Sequence, residues 1–336
     1  MSTATAAPVT PQRISQLAWG YAAPLILEAA IRNEVFDTLE ASPMTIEELH
    51  AVTGASTRGL TAIANALYSL ELLDKDQHGR YSLTPESAMF LVRDKPSFMG
   101  GLILHTSEQL LPKWLRLNEV VRTGKPATAV NQEEAGSEFF EQFVSDIFPM
   151  SYPSAQALAA ALHLDQGRVL DLAAGSGVWG IALAQNSPGV RVSAVDWPNV
   201  LPVTEKTAVR FGLEDRFNFI PGDLLSADFG SGYDVATLGH ILHSEGEARS
   251  RKLLEKTWES LAPGGTIAIA EFLVSHDRKG PVTGLFFAVN MLVNTDEGST
   301  YSFEEISDWL FDAGFLNPHL LEVPGPSPLI LATKRS

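Results

Sequence analysis

Cysteine is the most informative absence in this sequence, since none of the 336 residues is a cysteine. Disulfide bonds, thiolate metal sites and cysteine nucleophiles are therefore excluded. Basic residues are also few, with 24 Lys and Arg against 40 Asp and Glu and a formal net charge of −16. Because a polyanion would meet repulsion over most of such a surface, nucleic acid and anionic membrane are disfavoured as partners.

Long hydrophobic runs are scarce as well. The longest run near the start covers residues 17–27 and stops at Glu28 after eleven residues, too few to span a bilayer. No segment with the pattern of a secretory signal precedes it, so a cytoplasmic enzyme is the expected class. The composition, 45% hydrophobic and 19% charged, is that of an ordinary globular protein, and the length allows two domains.

What the sequence does contain is a glycine-rich turn between a predicted buried strand and a predicted helix, in residues 168–180, RVLDLAAGSGVWG. Gly175, Gly177 and Gly180 match the spacing G-x-G-x-x-G, in which missing side chains let the backbone approach a ligand at a helix N-terminus. Asp196 closes the next apolar run, where a carboxylate can hold both hydroxyls of a ribose. The pattern predicts an adenosine-type nucleoside as the ligand.

Two cofactors with such a nucleoside fit this turn, a dinucleotide and S-adenosylmethionine. A dinucleotide places a pyrophosphate at the turn, whereas S-adenosylmethionine places a sulfonium cation and an amino acid there. Asp171 precedes the turn and would repel a pyrophosphate but attract an ammonium or sulfonium group. The acidic residue favours S-adenosylmethionine, and a structural turn without a ligand is the third interpretation.

Strands and helices alternate with short connections after this turn, which predicts an α/β fold with a doubly wound, Rossmann-like parallel sheet. The further predicted strands are residues 191–196, 217–221, 233–238 and 266–272. Two last segments, 320–323 and 329–333, are predicted to form an antiparallel hairpin across Pro-Gly-Pro-Ser-Pro. A parallel sheet that ends in such a hairpin is typical of class I S-adenosylmethionine methyltransferases and not of dinucleotide dehydrogenases. Asp223, after the third strand, can accept a hydrogen bond from an adenine amino group.

The first part of the chain is predicted to be mostly helical. Thr45 and Glu48 form a capping box, a second helix follows, and a hairpin turns around Gly79. This order is typical of a winged helix. Residues 44–90 carry three basic and six acidic residues, whereas a DNA-reading helix needs Lys or Arg for the phosphates. A dimerisation face is therefore the better explanation.

The chain resembles the small-molecule O-methyltransferases that carry a winged-helix dimerisation domain ahead of an S-adenosylmethionine-binding domain. This family includes plant caffeate and flavonoid enzymes and bacterial polyketide and pigment methyltransferases. The segments that carry the resemblance are GRYSLTPES, VLDLAAGSGVWG, VDWPNV, PGDLL, HILHSEGEARSRKLL, LAPGGTIAIAEFL and FEEISDWLFDAGF. It implies a homodimeric enzyme of secondary metabolism, with a dimerisation domain in residues 1–105 and a methyltransferase domain in 106–336, whose residues 106–165 roof the substrate pocket.

The resemblance also implies a set of site residues. His243 stands at the position of the catalytic base and Glu271 at that of an acid that holds its imidazole, while His240 is expected to be structural or to line the pocket. The residues expected to bind the cofactor are Asp171, Gly175, Gly177, Asp196, Trp197, Asp223, Leu224 and Gly239. The residues expected to bind an aromatic acceptor are Met150, Phe286, Phe287, Asn290 and Met291. No metal is implied.

The sequence departs from the family pattern in several places. Thr300 stands where the family has a second glutamate, with Asp296 and Glu297 nearby but offset. Other departures are Ser244 for an aspartate, Ala173 for a glycine and Gly239 for a lysine. O-methylation is the leading interpretation; C- or N-methylation, an S-adenosylmethionine-binding relative that does not methylate, and a winged-helix regulator with a metabolite-sensing domain are the alternatives.

Overall fold

The computed structural model describes residues 9–336, without the side chains of residues 134, 135, 137–139, 141 and 142. The chain forms two compact units, one that ends at Glu108 and one from Gln109 to Ser336. The elements of the first unit are α1 (Gln12–Ala18), α2 (Ala22–Arg32), α3 (Val35–Leu39), α4 (Ile46–Thr53), α5 (Thr57–Ser69), β1 (Leu73–Lys75), β2 (Tyr81–Leu83), α6 (Pro85–Phe90) and α7 (Gly100–His105). A π-helical turn, Thr106–Leu110, runs across the boundary.

The first unit confirms the predicted order of helix, helix and hairpin. Helix α4 begins with the predicted capping box, in which the Glu48 amide donates to Thr45 Oγ1 over 3.3 Å and the Thr45 amide donates to Glu48 Oε2 over 2.8 Å. The helix ends at Gly54, whose φ of 71° is left-handed. Strands β1 and β2 pair in antiparallel fashion, and Met44 pairs with Tyr81 as a short third strand.

One stretch of the described residues, Gln12–Arg32, is long and apolar enough to cross a membrane by length and composition, and only 11% of it is buried. It consists of α1 and α2 with a turn between them. Large apolar side chains are exposed along it: Ile14 is 69%, Leu17 64%, Trp19 67% and Tyr21 57% exposed. The start of the chain therefore carries an apolar surface that this unit does not cover.

The second unit contains a seven-stranded sheet with helices before, between and after its strands. Its helices are α8 (Leu111–Trp114), α9 (Leu117–Thr123), α10 (Glu133–Asp146), α11 (Phe148–Leu162), α12 (Val178–Asn186), α13 (Leu201–Arg210), α14 (Leu242–Ser260), α15 (Val282–Asn294) and α16 (Phe303–Asp312). Its strands are β3 (Gln166–Leu172), β4 (Gly189–Asp196), β5 (Phe217–Pro221), β6 (Tyr233–Gly239), β7 (Leu261–Ala270), β8 (Phe315–Leu321) and β9 (Leu329–Lys334).

The strand order is β5-β4-β3-β6-β7-β9-β8. The first five strands in this order are parallel, and β9 pairs antiparallel with both β7 and β8. The order reverses between β3 and β6, which makes the sheet doubly wound, and the predicted fold class is confirmed. Sites in such sheets lie at the carboxyl ends of the strands beside the reversal.

The sheet is buried on both faces because neighbouring residues of β3 enter different cores. Leu170 belongs to a core with Leu253 of α14 and Trp309 of α16, whereas Val169 belongs to a core with Ile181 of α12. Side chains of a strand alternate between the two faces, so each core covers one face of the sheet. Because both faces of β3 are buried, its sequence is mostly apolar, and this is the pattern that predicted a buried strand.

Strands β4, β6 and β9 lie within two residues of their predicted bounds, whereas β7 and β8 differ by more. Strand β7 covers 261–270 and not 266–272, because Pro263-Gly264-Gly265 lies inside the strand, at a register shift against β6, and Gly264 takes a left-handed φ of 79°. Strand β8 covers 315–321 and not 320–323. It contains Pro318 at a second register shift, and an edge strand tolerates proline because one side of it has no partner strand.

Candidate active site

The turn after β3 holds the carboxylate of Asp196 in place. The Gly175 amide donates to Asp196 Oδ2 over 2.8 Å, and the Trp197 amide donates to Asp196 Oδ1 over 2.7 Å. Gly175 and Gly177 have left-handed φ angles of 57° and 74°. Burial raises the pKa of Asp196 to about 6, although the two amide hydrogen bonds lower it. Above that pH the carboxylate is ionised, and its remaining lone pairs can accept from two ribose hydroxyls.

Gly177 has no room for a side chain, because the turn packs against α13. A Cβ at Gly177 would lie 2.8 Å from Cγ2 of Thr204 on α13. The Thr204 hydroxyl donates to the Gly175 carbonyl over 2.7 Å, so α13 packs directly on the turn. Ala173, which replaces a family glycine, nevertheless takes a left-handed φ of 52°, at a cost of about 1–2 kcal/mol.

Asp171 lies beneath the turn and is fully buried. The Thr237 hydroxyl of β6 donates to its Oδ1 over 2.7 Å, and the Gly180 amide of α12 donates to its Oδ2 over 3.0 Å. Burial raises the pKa of Asp171 to about 7, against the lowering effect of these two donors. Both carboxylate oxygens accept hydrogen bonds from within the protein, so Asp171 links β3, β6 and α12. Its contact with a cofactor stays a prediction.

Asp223 is held by an arginine that the sequence analysis did not single out. Arg249 lies on α14, where its Nη2 is 2.6 Å from Asp223 Oδ2 and its Nε is 2.6 Å from Glu245 Oε2. The Leu225 amide donates to Asp223 Oδ1 over 2.9 Å. The four-residue spacing of Glu245 and Arg249 signals their pair in the sequence, but nothing there signals the link to Asp223.

His243 and Glu271 meet where β6 and β7 end. His243 Nδ1 is 2.7 Å from Glu271 Oε2, and the His243 amide donates to Glu271 Oε1 over 3.1 Å. The two residues are only 8% and 3% exposed. Burial alone would raise the pKa of Glu271, but the charge and hydrogen bonds of His243 outweigh it and the pKa is lowered. An ionised carboxylate only accepts hydrogen bonds, so Nδ1 of His243 carries a proton and Nε2 is the ring nitrogen outside this bond; a role of Nε2 as a base stays a prediction.

Aromatic rings surround this dyad, the name used here for His243 and Glu271. The Phe287 ring of α15 meets the His243 ring edge-on, with centroids 4.8 Å apart, and packs on Phe272 at 4.2 Å. The His240 ring also packs on Phe272, at 4.9 Å, and its centroid lies 6.4 Å from that of His243. Burial lowers the pKa of His240 to about 4, with a further lowering by the charge of His243 and an opposing rise from Glu271. His240 is therefore neutral at neutral pH.

The structure shows what surrounds Gly239 and Thr300, two positions at which the sequence departs from the family pattern. A Cβ at Gly239 would lie 2.0 Å from Nε1 of Trp179, so the indole occupies the space of a longer side chain. Thr300 is 3% exposed and follows Ser299, whose amide donates to the His243 carbonyl over 2.8 Å. Asp296 accepts from Gln132 over 2.8 Å and is exposed. Among the described residues, Glu271 is the acid whose carboxylate is hydrogen-bonded to the His243 imidazole.

Two family models match this chain. The model of the O-methyltransferase domain matches residues 116–316, and that of the O-methyltransferase dimerisation domain matches residues 15–93. The chain belongs to the O-methyltransferase family. The predicted family and enzyme class are thereby confirmed. The family depends on S-adenosylmethionine, which confirms the predicted cofactor over a dinucleotide.

Characterised relatives align with this O-methyltransferase over most of its length. A 3-hydroxy-5-methyl-1-naphthoate 3-O-methyltransferase of Streptomyces sahachiroi is 33% identical, over 90% of this chain and 89% of the relative. The tetracenomycin polyketide synthesis 8-O-methyl transferase TcmO of Streptomyces glaucescens is 28% identical, over 96% and 97%. A solved structure of a putative O-methyltransferase of Nostoc punctiforme has a TM-score of 0.90 at 28% identity, covering 98% of this chain and all of that one.

The residues predicted to bind the acceptor lie in different environments. Asn290 on α15 accepts from Trp114 Nε1 over 2.9 Å and from Asn294 Nδ2 over 3.0 Å, and Met291 is 5% exposed. Phe287 packs against the dyad. Phe286, by contrast, is 62% exposed, so α15 carries an exposed apolar side chain at a position that the resemblance assigns to acceptor binding. Met150 is half-buried in the first turn of α11. Acceptor binding by all five residues stays a prediction.

We expect Asp196→Ala to weaken binding of S-adenosylhomocysteine by about tenfold or more, equivalent to about 1.4 kcal/mol, because the ribose hydroxyls lose their acceptor. Isothermal titration calorimetry measures the affinity. Asp228→Ala, at an exposed acid that accepts only from the Gly230 amide, is the control and should bind as the wild type does. Equal affinities of the Asp196 variant and the wild type would remove Asp196 from the cofactor site.

We expect Asp171→Asn to flatten the pH dependence of stability. A folded pKa of about 7, raised by burial from 3.8, means that the stabilising contribution of this carboxyl is complete below the unfolded pKa and is lost as pH rises through 7. Asparagine keeps one acceptor and one donor but does not ionise. Relative to the wild type, the variant should gain roughly 2–3 kcal/mol between pH 5 and pH 8. Urea unfolding of the cofactor-free protein at both pH values measures this, and parallel pH profiles would contradict it.

Proposed function

We propose that this O-methyltransferase transfers the methyl group of S-adenosylmethionine to a ring hydroxyl of an aromatic or polyketide-type small molecule, with His243 as the base. The buried pair of His243 and Glu271 at the carboxyl edge of the sheet carries the proposal. The relatives named for a naphthoate and for tetracenomycin synthesis support a fused aromatic acceptor. The apolar rings of Phe272 and Phe287 beside the base suit such an acceptor as well.

Residues at the ends of three neighbouring strands, β3, β4 and β5, would hold the cofactor. Asp196 would accept from the ribose hydroxyls, the turn at Gly175 and Gly177 would receive the amino acid part, and Asp223 with Leu224 would border the adenine. The two left-handed glycines of the turn and the two amide hydrogen bonds to Asp196 fit this role. When bound, S-adenosylmethionine supplies an electrophilic methyl group on a sulfonium ion.

The dyad prepares the acceptor oxygen. A phenol with a pKa of about 10 is a poor nucleophile, so Nε2 of His243 removes its proton. Glu271 accepts a hydrogen bond from Nδ1–H, fixes the orientation of the ring and stabilises the imidazolium that forms. Phe272 and Phe287 exclude water beside the base. General-base assistance contributes about 10²–10⁴-fold, whereas alignment of the reacting atoms can supply roughly 7–11 kcal/mol.

Thr300 affects the balance between general-base assistance and alignment of the reacting atoms. With threonine where the family has its second acid, one carboxylate and not two orients the imidazole. Alignment of acceptor and methyl group therefore carries more of the rate, and acidic hydroxyls, such as those hydrogen-bonded to a neighbouring carbonyl, are the favoured acceptors. This supports a polyketide-type phenol over an aliphatic alcohol.

We further propose that the first unit is a winged helix used for homodimerisation, and that the protein is a cytoplasmic enzyme of secondary metabolism. Domain boundaries at residues 1–105 and 106–336, with 106–165 as the roof of the acceptor pocket, complete the proposal. The matching dimerisation family model and the exposed apolar side chains of α1 support the dimer. The six acidic residues within 44–90 speak against a role in binding DNA.

We expect His243→Ala to lower turnover by about 10²–10⁴-fold while S-adenosylhomocysteine binds nearly as tightly as to the wild type, because only the proton acceptor is lost. Turnover of a panel of hydroxynaphthoates and polyketide phenols, followed by mass spectrometry, measures the effect. His276→Ala, at an exposed histidine, is the matched control and should leave turnover unchanged. Near-normal turnover by the His243 variant would show that alignment alone carries the reaction.

We expect the intact protein to be a dimer at micromolar concentration and the double variant Leu17→Glu, Trp19→Glu to be a monomer, since two charges would have to be buried in the interface. Light scattering after size exclusion gives the masses. Val52→Glu, at a side chain that is 64% exposed on α4, is the control and should stay dimeric. A monomeric wild type would disprove the proposal.

A further inference from the structure

The carboxyl edge of the sheet places a third side chain beside the dyad. One donor atom each from His240, His243 and Glu271 lies within 4.8 Å of the other two. The position of His240 is set by the main chain: its amide donates to the Ala270 carbonyl over 2.8 Å, and its φ of 59° is left-handed, which is uncommon for a residue other than glycine. Two imidazoles and a carboxylate therefore converge on one point.

His240 has an unmet bonding capacity. Its Nδ1 is buried and has no hydrogen-bond partner among the described residues. The rings of Phe272, His243 and Trp179 have centroids 4.9, 6.4 and 6.5 Å from that of His240, and none of them forms a hydrogen bond with its Nδ1. An unsatisfied buried nitrogen is destabilising and calls for a physical explanation. A metal ion is smaller than a water molecule and bonds directly to such a lone pair.

We propose that His240, His243 and Glu271 form a binding site for a divalent transition-metal ion such as Zn²⁺. Imidazole nitrogens and a carboxylate oxygen are preferred zinc ligands, and three protein ligands leave a fourth position open. Ligand atoms about 2.0–2.1 Å from a tetrahedral zinc ion lie about 3.4 Å apart, so the side chains need to move by little more than 1 Å. The sequence implied no metal because it could not show how close His240 lies to the dyad.

The donor set also decides which ions bind. Mg²⁺ and Ca²⁺ require mainly oxygen ligands, and this cluster offers oxygen from Glu271 alone. We expect Zn²⁺ to bind and Mg²⁺ not to. A bound ion would occupy a nitrogen of His243 and break its hydrogen bond to Glu271. Where the proposed function holds, Zn²⁺ would therefore inhibit methyl transfer, and a chelator would restore it.

Calorimetric titration of the full-length, chelator-treated protein with ZnCl₂ tests the site directly and does not depend on the catalytic role of His243. His240→Asn removes the imidazole but keeps a residue type that tolerates the left-handed backbone. The matched control is His163→Asn, at an exposed histidine with a φ of 48°. We expect the wild type and the control to bind one ion with equal affinity, and His240→Asn to bind it at least about tenfold more weakly. Equal affinity of all three proteins would overturn the proposal.

Diffraction from wild-type crystals soaked in ZnCl₂ gives a second readout that needs no variant. We expect an anomalous peak at about 2.0–2.3 Å from one atom of each of the three side chains. Peaks only at exposed histidines, or none, would overturn the site. Binding without inhibition would leave the metal site intact and argue instead against His243 as the base.

Discussion

Two hydrogen bonds to one buried carboxylate determine the geometry at the carboxyl edge of the sheet. Asp171 lies one residue before the end of β3, and it accepts hydrogen bonds from Thr237 of β6 and from Gly180 of α12. The turn between β3 and α12 is therefore fixed at both ends and cannot shift against the neighbouring strand. Asp196 is in turn bonded to Gly175 of the same turn, so the position of the predicted ribose acceptor depends on Asp171 as well.

Asp171 and Glu271 show how partners decide the state of a buried acid. Both are almost completely buried, which alone would raise the pKa of each. Asp171 meets only a hydroxyl and an amide, and its pKa rises to about 7. Glu271 meets His243, which can carry a positive charge, and its pKa falls. The first acid can therefore serve as a neutral support, whereas the second stays charged and can stabilise a protonated imidazole.

Local patterns in the sequence predicted the parts of this structure that depend on neighbouring residues. The capping box at Thr45, the glycine spacing and the alternation of strands and helices are such patterns, and all are confirmed. Strands β7 and β8 differ from their predicted bounds because they contain Gly264 and Pro318. Glycine and proline normally end strands, and here each lies at a register shift. Contacts between distant segments, such as Arg249 with Asp223 or His240 beside the dyad, have no local signal, because the topology of the sheet creates them.

Trp179 and Gly239 are sixty positions apart in the chain but compete for one volume, since a Cβ at Gly239 would lie 2.0 Å from the indole nitrogen. A lysine at position 239, as the resemblance led us to expect, would collide with this tryptophan. Removal of the tryptophan alone would leave a cavity against the glycine. The two positions are therefore epistatic: a change at one of them alone leaves a clash or a void, and a larger residue at 239 requires a smaller one at 179.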